Sequence, residues 1–249
     1  METPLNPASR PGDLWSLGDH RLICGDATDA ATVARVLAGH RPNLMVTDPP
    51  YGVNYDPAWR ERMLGKAGRA QGLIRNDDRC DWRAAWSLFP GDVAYVWHST
   101  LHTAVVEASL RTAGFLPRSQ IIWDKGRLII SRGHYHWRHE PCWYAVRRGR
   151  TANWQGDRRQ MTVWQVPHRR SATGHPTEKP VEIMRRPILN HTRPGDFVYD
   201  PFLGSGSTLL AAEETGRACL GLELTPEHCD RIVLRWTAST GGTARREAA

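Results

Sequence analysis

Asp48-Pro49-Pro50-Tyr51 packs a carboxylate, two ring-locked residues and a phenol into one turn. Proline removes backbone N–H donors and stiffens the chain, so the turn presents acceptors: its carbonyls and the Asp48 carboxylate. A planar exocyclic amine, such as that of adenine or cytosine, offers two hydrogens to such acceptors. Its nitrogen is a poor nucleophile because the lone pair is delocalised into the ring. Accepting its hydrogens at Asp48 and at a proline carbonyl favours a more pyramidal nitrogen with the lone pair free for attack. Tyr51 supplies a ring on which an extruded base can stack. An isolated Pro-Pro-Tyr also reads as an ordinary turn with its ring in the core, so the case depends on what accompanies it.

A second turn, Asp200-Pro201-Phe202-Leu203-Gly204-Ser205-Gly206-Ser207-Thr208, follows an apolar run and opens a helical one. Glycines there allow backbone turns closed to other residues and let the chain approach a nucleotide-sized ligand. The absence of Gly-Lys-Ser/Thr counts against a phosphate-gripping P-loop. The next strand ends at Gly221-Leu222-Glu223, where an acid is suited to accept from ribose hydroxyls. Asp26 could accept from an adenine amine or, as plainly, cap the helix that begins beside Thr28.

The elements that must hold these residues alternate between strand and helix. Strands are expected at 21–24, 44–47, 93–97, 120–123, 197–199 and 219–222. Helices are expected at 28–39, with Thr28 or Asp29 as N-cap, and at 101–112, 181–190, 208–215 and 226–236. In open parallel sheets ligands sit outside the carboxyl ends of the strands, and Asp26, Asp48, Asp200 and Glu223 all fall there. The proline turn and the glycine turn are therefore expected to meet across one cavity.

The two turns, together with His175-Pro176-Thr177-Glu178-Lys179-Pro180, resemble the motifs of the amino-group DNA methyltransferases. Their order, catalytic turn before glycine loop, is similar to the beta class of that family, and the likeness covers residues 14–240. The resemblance implies an α/β fold: a Rossmann-like, mostly parallel sheet with helices on both faces. It also implies S-adenosylmethionine as methyl donor and double-stranded DNA as substrate. By that likeness Phe202, Gly204 and Gly206 line the cofactor, with Ser205, Ser207 and Thr208 in the same loop. Asp200 faces the methionine amine, Glu223 the ribose, Asp26 the adenine amine and Lys179 the methionine carboxylate. Asp48, Pro49, Pro50 and Tyr51 form the catalytic turn. An Asp-first turn is typical of N6-adenine enzymes, whereas N4-cytosine enzymes more often begin with Ser.

Around this framework the reading places an N-terminal arm at 1–13, a mobile basic loop at 52–80 with a short helix near 59–64, and a loose tail at 241–249. Residues 125–174, crowded with Arg, His and Trp, read as a small target-recognition insertion with short strands near 143–146 and 162–166. So short a recognition region implies a short or permissive DNA sequence, or a homodimer. Arg147, Arg148, Arg150, Arg158 and Arg159 are candidate phosphate contacts. His134, His136, His139 and Cys142 match no zinc spacing, so no metal is expected. Pro141-Cys142 could suggest a covalent nucleophile, but direct amine methylation needs none, and a buried neutral thiol is expected.

Composition narrows the remaining classes. With 249 residues and 40% hydrophobic content the chain can bury a core without staples. A net charge of +7 favours a polyanionic partner. Eleven tryptophans either fill that core or stack on bases. Five cysteines without a Cys-x-x-Cys pair, and no secretory leader, lead to an expectation of reduced thiols in the cytoplasm. No apolar run reaches the roughly 20 residues of a membrane span.

Overall fold

The computed structural model describes residues 8–54, 75–131, 133–167 and 178–247. Its strands are β1 (Leu14–Leu17), β2 (His20–Cys24), β3 (Leu44–Thr47), β4 (Val93–Trp97), β5 (Phe115–Ile129), β6 (Trp137–Arg147), β7 (Val163–Gln165), β8 (Phe197–Asp200), β9 (Ala218–Glu223) and β10 (Ala244–Glu247). They form one sheet in the order β10-β1-β2-β9-β8-β3-β4-β6-β5-β7. The central run β2-β9-β8-β3-β4 is parallel. Antiparallel pairs flank it, with β1 and β10 on one side and β6 and β5 on the other; β7 is parallel to β5.

Strand side chains alternate between two cores, as period-two geometry requires. Leu22, Leu44, Val46, Tyr95 and Trp97 face helices α4 (Val181–His191), α5 (Ser207–Glu214) and α6 (Pro226–Thr240). Ile23, Met45, Ala94, Val96 and Leu222 face α1 (Ala30–Leu37), α2 (Arg83–Leu88) and α3 (Thr103–Thr112). The strands of the parallel centre are buried on both faces, which is why they read as unbroken apolar runs. Asp29, one of the two expected caps, accepts the Ala31 and Thr32 N–H groups at the start of α1. Helix α6 begins at Pro226 and stops at Gly241, whose φ of +70° ends it in the left-handed region.

Three expectations change. Residues 125–147 are not an appended subregion: they complete a long β5–β6 hairpin within the main sheet, and only β7 follows at its edge. Their polar outer halves run beyond the last paired residue of β4, where buried Lys125 and half-buried Glu140 stand among exposed residues, so no hydrophobic period marks them. The tail is not loose through its length, because Ala244–Glu247 pairs with β1; an exposed edge strand held by its backbone needs no apolar pattern. The end of the arm is pinned as well, with Ser9 buried and its hydroxyl donating to Asp230 Oδ1 at 2.5 Å. Helix α2 lacks any sequence signal strong enough to have been expected.

The helix expected near 59–64 lies outside the described residues, as do most of the basic loop and His175-Pro176-Thr177. Of the tryptophans, 82, 86, 97, 123, 164 and 236 are buried, so the indoles serve mainly as core. Cys24, Cys142, Cys219 and Cys229 are buried free thiols. Among the described residues no helix is long and apolar enough to cross a membrane.

Candidate active site

The parallel strands deliver four acids to one rim in lateral order: Asp26 after β2, Glu223 at the end of β9, Asp200 at the end of β8 and Asp48 after β3. The two turns meet there. Thr47, buried at the end of β3, donates its hydroxyl to Asp200 Oδ1 at 2.7 Å, which ties the proline turn to the glycine turn across adjacent strands. Lys179 makes a second tie. Its ammonium sits 2.7 Å from Asp48 Oδ2, and its carbonyl accepts the Ser207 hydroxyl at 2.7 Å.

On the glycine side, Leu203 N–H donates to the Leu222 carbonyl and Gly206 N–H to the Leu203 carbonyl, closing the turn. Gly204 and Gly206 hold φ of +53° and +81°, a conformation in which a side chain would be strained. Glu223 binds this loop directly: Oε2 accepts the Gly204 N–H at 2.9 Å and Oε1 the Thr225 N–H at 2.8 Å. Arg235 of α6 donates to the Ser205 carbonyl at 2.8 Å and pairs with Glu178. Phe202 is half-buried edge-on against Trp82 and Trp86. Thr208 is buried behind the loop. Asp26 is exposed and accepts both the N–H and the hydroxyl of Thr28 at 2.8 Å, the local turn that competed with a ligand role.

Asp200 is buried, and its partners are the hydroxyls of Thr47 and Thr208 and the Phe202 N–H, with no cation among them. Burial therefore pushes its carboxyl up to about 7, against those hydrogen bonds.

The proline side is built differently. Asp48 Oδ1 accepts the Tyr51 hydroxyl at 2.7 Å while Oδ2 holds Lys179. Lys179 also lies 3.1 Å from Glu140 Oε2 on β6, and Lys125 of β5 pairs with Glu140 Oε1. Two carboxylates and two ammonium groups thus form a linear, charge-balanced chain: Lys125, Glu140, Lys179, Asp48. Burial alone would raise Glu140, but Lys179 and Lys125 together hold it down to about 2. Burial raises Asp48 despite Lys179, and the two carboxylates raise Lys179 despite its burial. The turn itself is fixed by Asp77, whose Oδ1 accepts the N–H groups of Tyr51, Gly52 and Val53 at 3.1, 2.9 and 3.3 Å. His102 donates to the Tyr51 carbonyl at 2.6 Å, and the Trp82 indole to the Pro50 carbonyl at 3.0 Å.

Lys179 thus sits between Asp48 and Glu140, with its carbonyl on the glycine loop through Ser207. Lys125, Glu140, Asp77 and Arg235 were not anticipated. The signal for Glu140 and Lys125 is cross-strand: β6 pairs Glu140 with Trp123, and β5 carries Lys125 two residues on, the same face of the sheet. Cys142 is fully buried and burial pushes its thiol well up, which removes it as a nucleophile.

The N6/N4 family model described as DNA methylase matches residues 43–234. The type II methyltransferase M.Cfr9I of Citrobacter freundii is 32% identical over an alignment of 160 residues that covers 57% of this chain and 51% of that enzyme. The chain thus spans about half the length of that relative. The DNA adenine methyltransferase YhdJ of Escherichia coli K12 is 25% identical over 238 residues, covering 80% of this chain and 78% of the relative. Among solved structures, M1.HpyAVI in complex with SAM superposes with a TM-score of 0.60 at 22% identity, over 84% of this chain and 97% of that one. The cytosine-N4-specific PvuII DNA methyltransferase gives 0.63 at 15% identity, over 91% and 90%. At these identities the two structures speak for the fold.

Proposed function

From the premise that the chain belongs to the N6/N4 DNA methylase family, we propose that it transfers the methyl group of S-adenosylmethionine to the exocyclic N6 of an adenine extruded from double-stranded DNA. The observation that carries this reading is the tie between the two turns through Thr47, Asp200, Asp48 and Lys179, which sets a base-amine acceptor beside a nucleoside-sized loop. The Asp-first turn and the likeness to an adenine methyltransferase support N6. The second reading is N4-cytosine methylation by the same residues, because the turn's acceptors serve either exocyclic amine and the matching family model covers both N6 and N4 enzymes.

The donor set fits the cofactor. S-adenosylmethionine offers hydrogen-bond donors at its ammonium, ribose and adenine amine, and the rim meets them with the acceptors Asp200, Glu223 and Asp26. Asp200 in particular is a buried carboxyl whose partners include no cation, a suitable seat for an ammonium. When bound, the cofactor supplies an electrophilic methyl group on a positively charged sulfur. This chain's residues do the rest by positioning. Asp48 and the Pro49 carbonyl accept the hydrogens of the target amine, which frees the nitrogen lone pair. Tyr51 supplies the stacking surface, while Asp77 and His102 keep the turn from relaxing. Double-stranded DNA and, as an organisation that would enlarge the recognition surface, a homodimer are the partners this reading implies.

Digesting DNA treated with the enzyme and cofactor to nucleosides tests the target. N6-methyladenine is expected; N4-methylcytosine as the sole product would move the assignment to the second reading, and no methylated nucleoside at all would end both.

A further inference from the structure

Both oxygens of Asp48 already have a partner before any base arrives. Oδ2 carries the Lys179 ammonium and Oδ1 the Tyr51 hydroxyl, each at 2.7 Å. A target amine that binds the carboxylate must therefore share an oxygen with one of these partners, and that partner is weakened or displaced. Displacing the ammonium would leave a buried charge with a weakened partner set, an expensive change. Displacing the hydroxyl is cheaper, provided that its single hydrogen finds another acceptor. One lies within reach: Glu140 Oε2, 3.1 Å from the same phenol oxygen. Lys125, bound to Glu140 Oε1, orients that carboxylate so that its other oxygen faces Tyr51 and Lys179.

We infer that Glu140 is a positioning residue that takes over the Tyr51 hydroxyl when Asp48 accepts the target amine, so that Tyr51 acts as a latch with two seats. No covalent step is involved; one hydrogen bond is exchanged for another. Glu140 remains the second anchor of Lys179 throughout, which keeps the ammonium in place as the latch moves. The inference rests on the proposed methylation, because it presumes that an amine comes to Asp48. A purely structural role for Glu140, neutralising two lysines, makes a different forecast and can be told apart.

The test is a double-mutant cycle on Tyr51→Phe and Glu140→Gln, read as single-turnover methyl transfer to DNA at saturating cofactor, with thermal unfolding and equilibrium cofactor binding of each variant alongside. With Tyr51 present, Glu140→Gln is expected to slow transfer by about tenfold or more, because the second seat loses its charge. In the Tyr51→Phe background there is no hydroxyl to relocate, and the same substitution should cost about threefold or less. Cofactor affinity should follow neither pattern. An equal cost in both backgrounds would overturn the inference, since neutralisation alone does not depend on the hydroxyl. Should Glu140→Gln fail to fold, Glu140→Asp keeps the anion and withdraws its oxygens from Tyr51, and the same inequality between backgrounds is expected. Wild-type enzyme that transfers no methyl group to DNA would fell the proposed function and this inference together. Transfer by the wild type with equal mutant costs would fell the inference alone.

Discussion

The two halves of the rim use carboxylates in opposite ways. On the glycine side Asp200 is met by hydroxyls and a backbone N–H and Glu223 by backbone N–H groups with the His228 imidazole 3.5 Å away, and Asp200 sits near 7 because burial has no cation to answer it there. On the proline side Asp48 and Glu140 are met by Lys179 and Lys125, and Glu140 is held near 2. The difference corresponds to the charge of what each half is proposed to receive. A nucleobase is neutral, so a cavity for it must balance its own charges beforehand, since unpaired buried charges would hinder entry. S-adenosylmethionine carries an ammonium and a sulfonium against a single carboxylate, a net positive charge, so its half can leave a buried acid waiting for it.

The sharpest way to break this division is Asp48→Ala. If the proline half serves the target amine, methyl transfer should fall by about a thousandfold or more while cofactor affinity changes by less than about threefold. Transfer is read by labelled methyl incorporation into DNA and affinity by equilibrium binding. Loss of cofactor binding in a folded variant would place Asp48 in the other half and remove the contrast.

Asp200→Asn attacks the other side. Removing the charge that meets the ammonium should weaken S-adenosylmethionine binding by about ten- to a hundredfold. Binding of methylthioadenosine, which keeps the nucleoside and lacks the amino-acid portion, should change much less. Equal losses for the two ligands would show that Asp200 acts on the loop as a whole.

The same residue makes a pH forecast. A carboxyl held near 7 must release its proton to pair with an ammonium, so cofactor affinity in the wild type should climb by up to about tenfold per pH unit below 7 and level off above it. The sign for folding is the reverse. Because the folded value is raised above the ordinary 3.8, the contribution of Asp200 to stability is fully present below that value and is lost as pH rises through about 7. Asp200→Asn should flatten its share of both profiles and make the cofactor-free fold more stable above neutrality. An affinity profile unchanged by the substitution would assign the titration elsewhere.

How much of this could be read before any fold was known follows the same division. The glycine half announces itself along the chain, because a strand, a turn with Gly204 and Gly206 and a helix are consecutive, and Glu223 ends the next strand. The parallel core was legible for a related reason: strands such as Val93–Trp97, buried on both faces, are plain apolar runs. The proline half is only half-written in sequence. Asp48 and Tyr51 are visible in their turn, but Glu140 reaches them through cross-strand register, on a hairpin whose polar ends overhang the sheet. Lys179 was visible as a residue, but its contact with Glu140 was not, because that carboxylate lies on the same hairpin. The edge strand Ala244–Glu247 was invisible because it is largely exposed and held by backbone pairing with β1 and by Arg246 on Asp13 and Trp15, none of which leaves an apolar pattern.

The smallest effect concerns how sharply the halves divide within the glycine side itself. Glu223 does two jobs there: it holds the loop through the Gly204 and Thr225 N–H groups, and it is proposed to meet the ribose. Glu223→Gln leaves one oxygen where there were two, so one of those N–H groups would face an amide donor. The expected consequence is a loss of about 1 kcal/mol in stability, seen as a lower unfolding midpoint. Cofactor affinity should fall by about three- to tenfold, a smaller loss than for Asp200→Asn because no cation is left unpaired. Unlike that variant, it should weaken S-adenosylmethionine and methylthioadenosine alike, since both carry the ribose. A selective loss for the amino-acid-bearing ligand would mean that Glu223, too, serves the ammonium, and that the glycine half divides its carboxylates differently from the assignment made here.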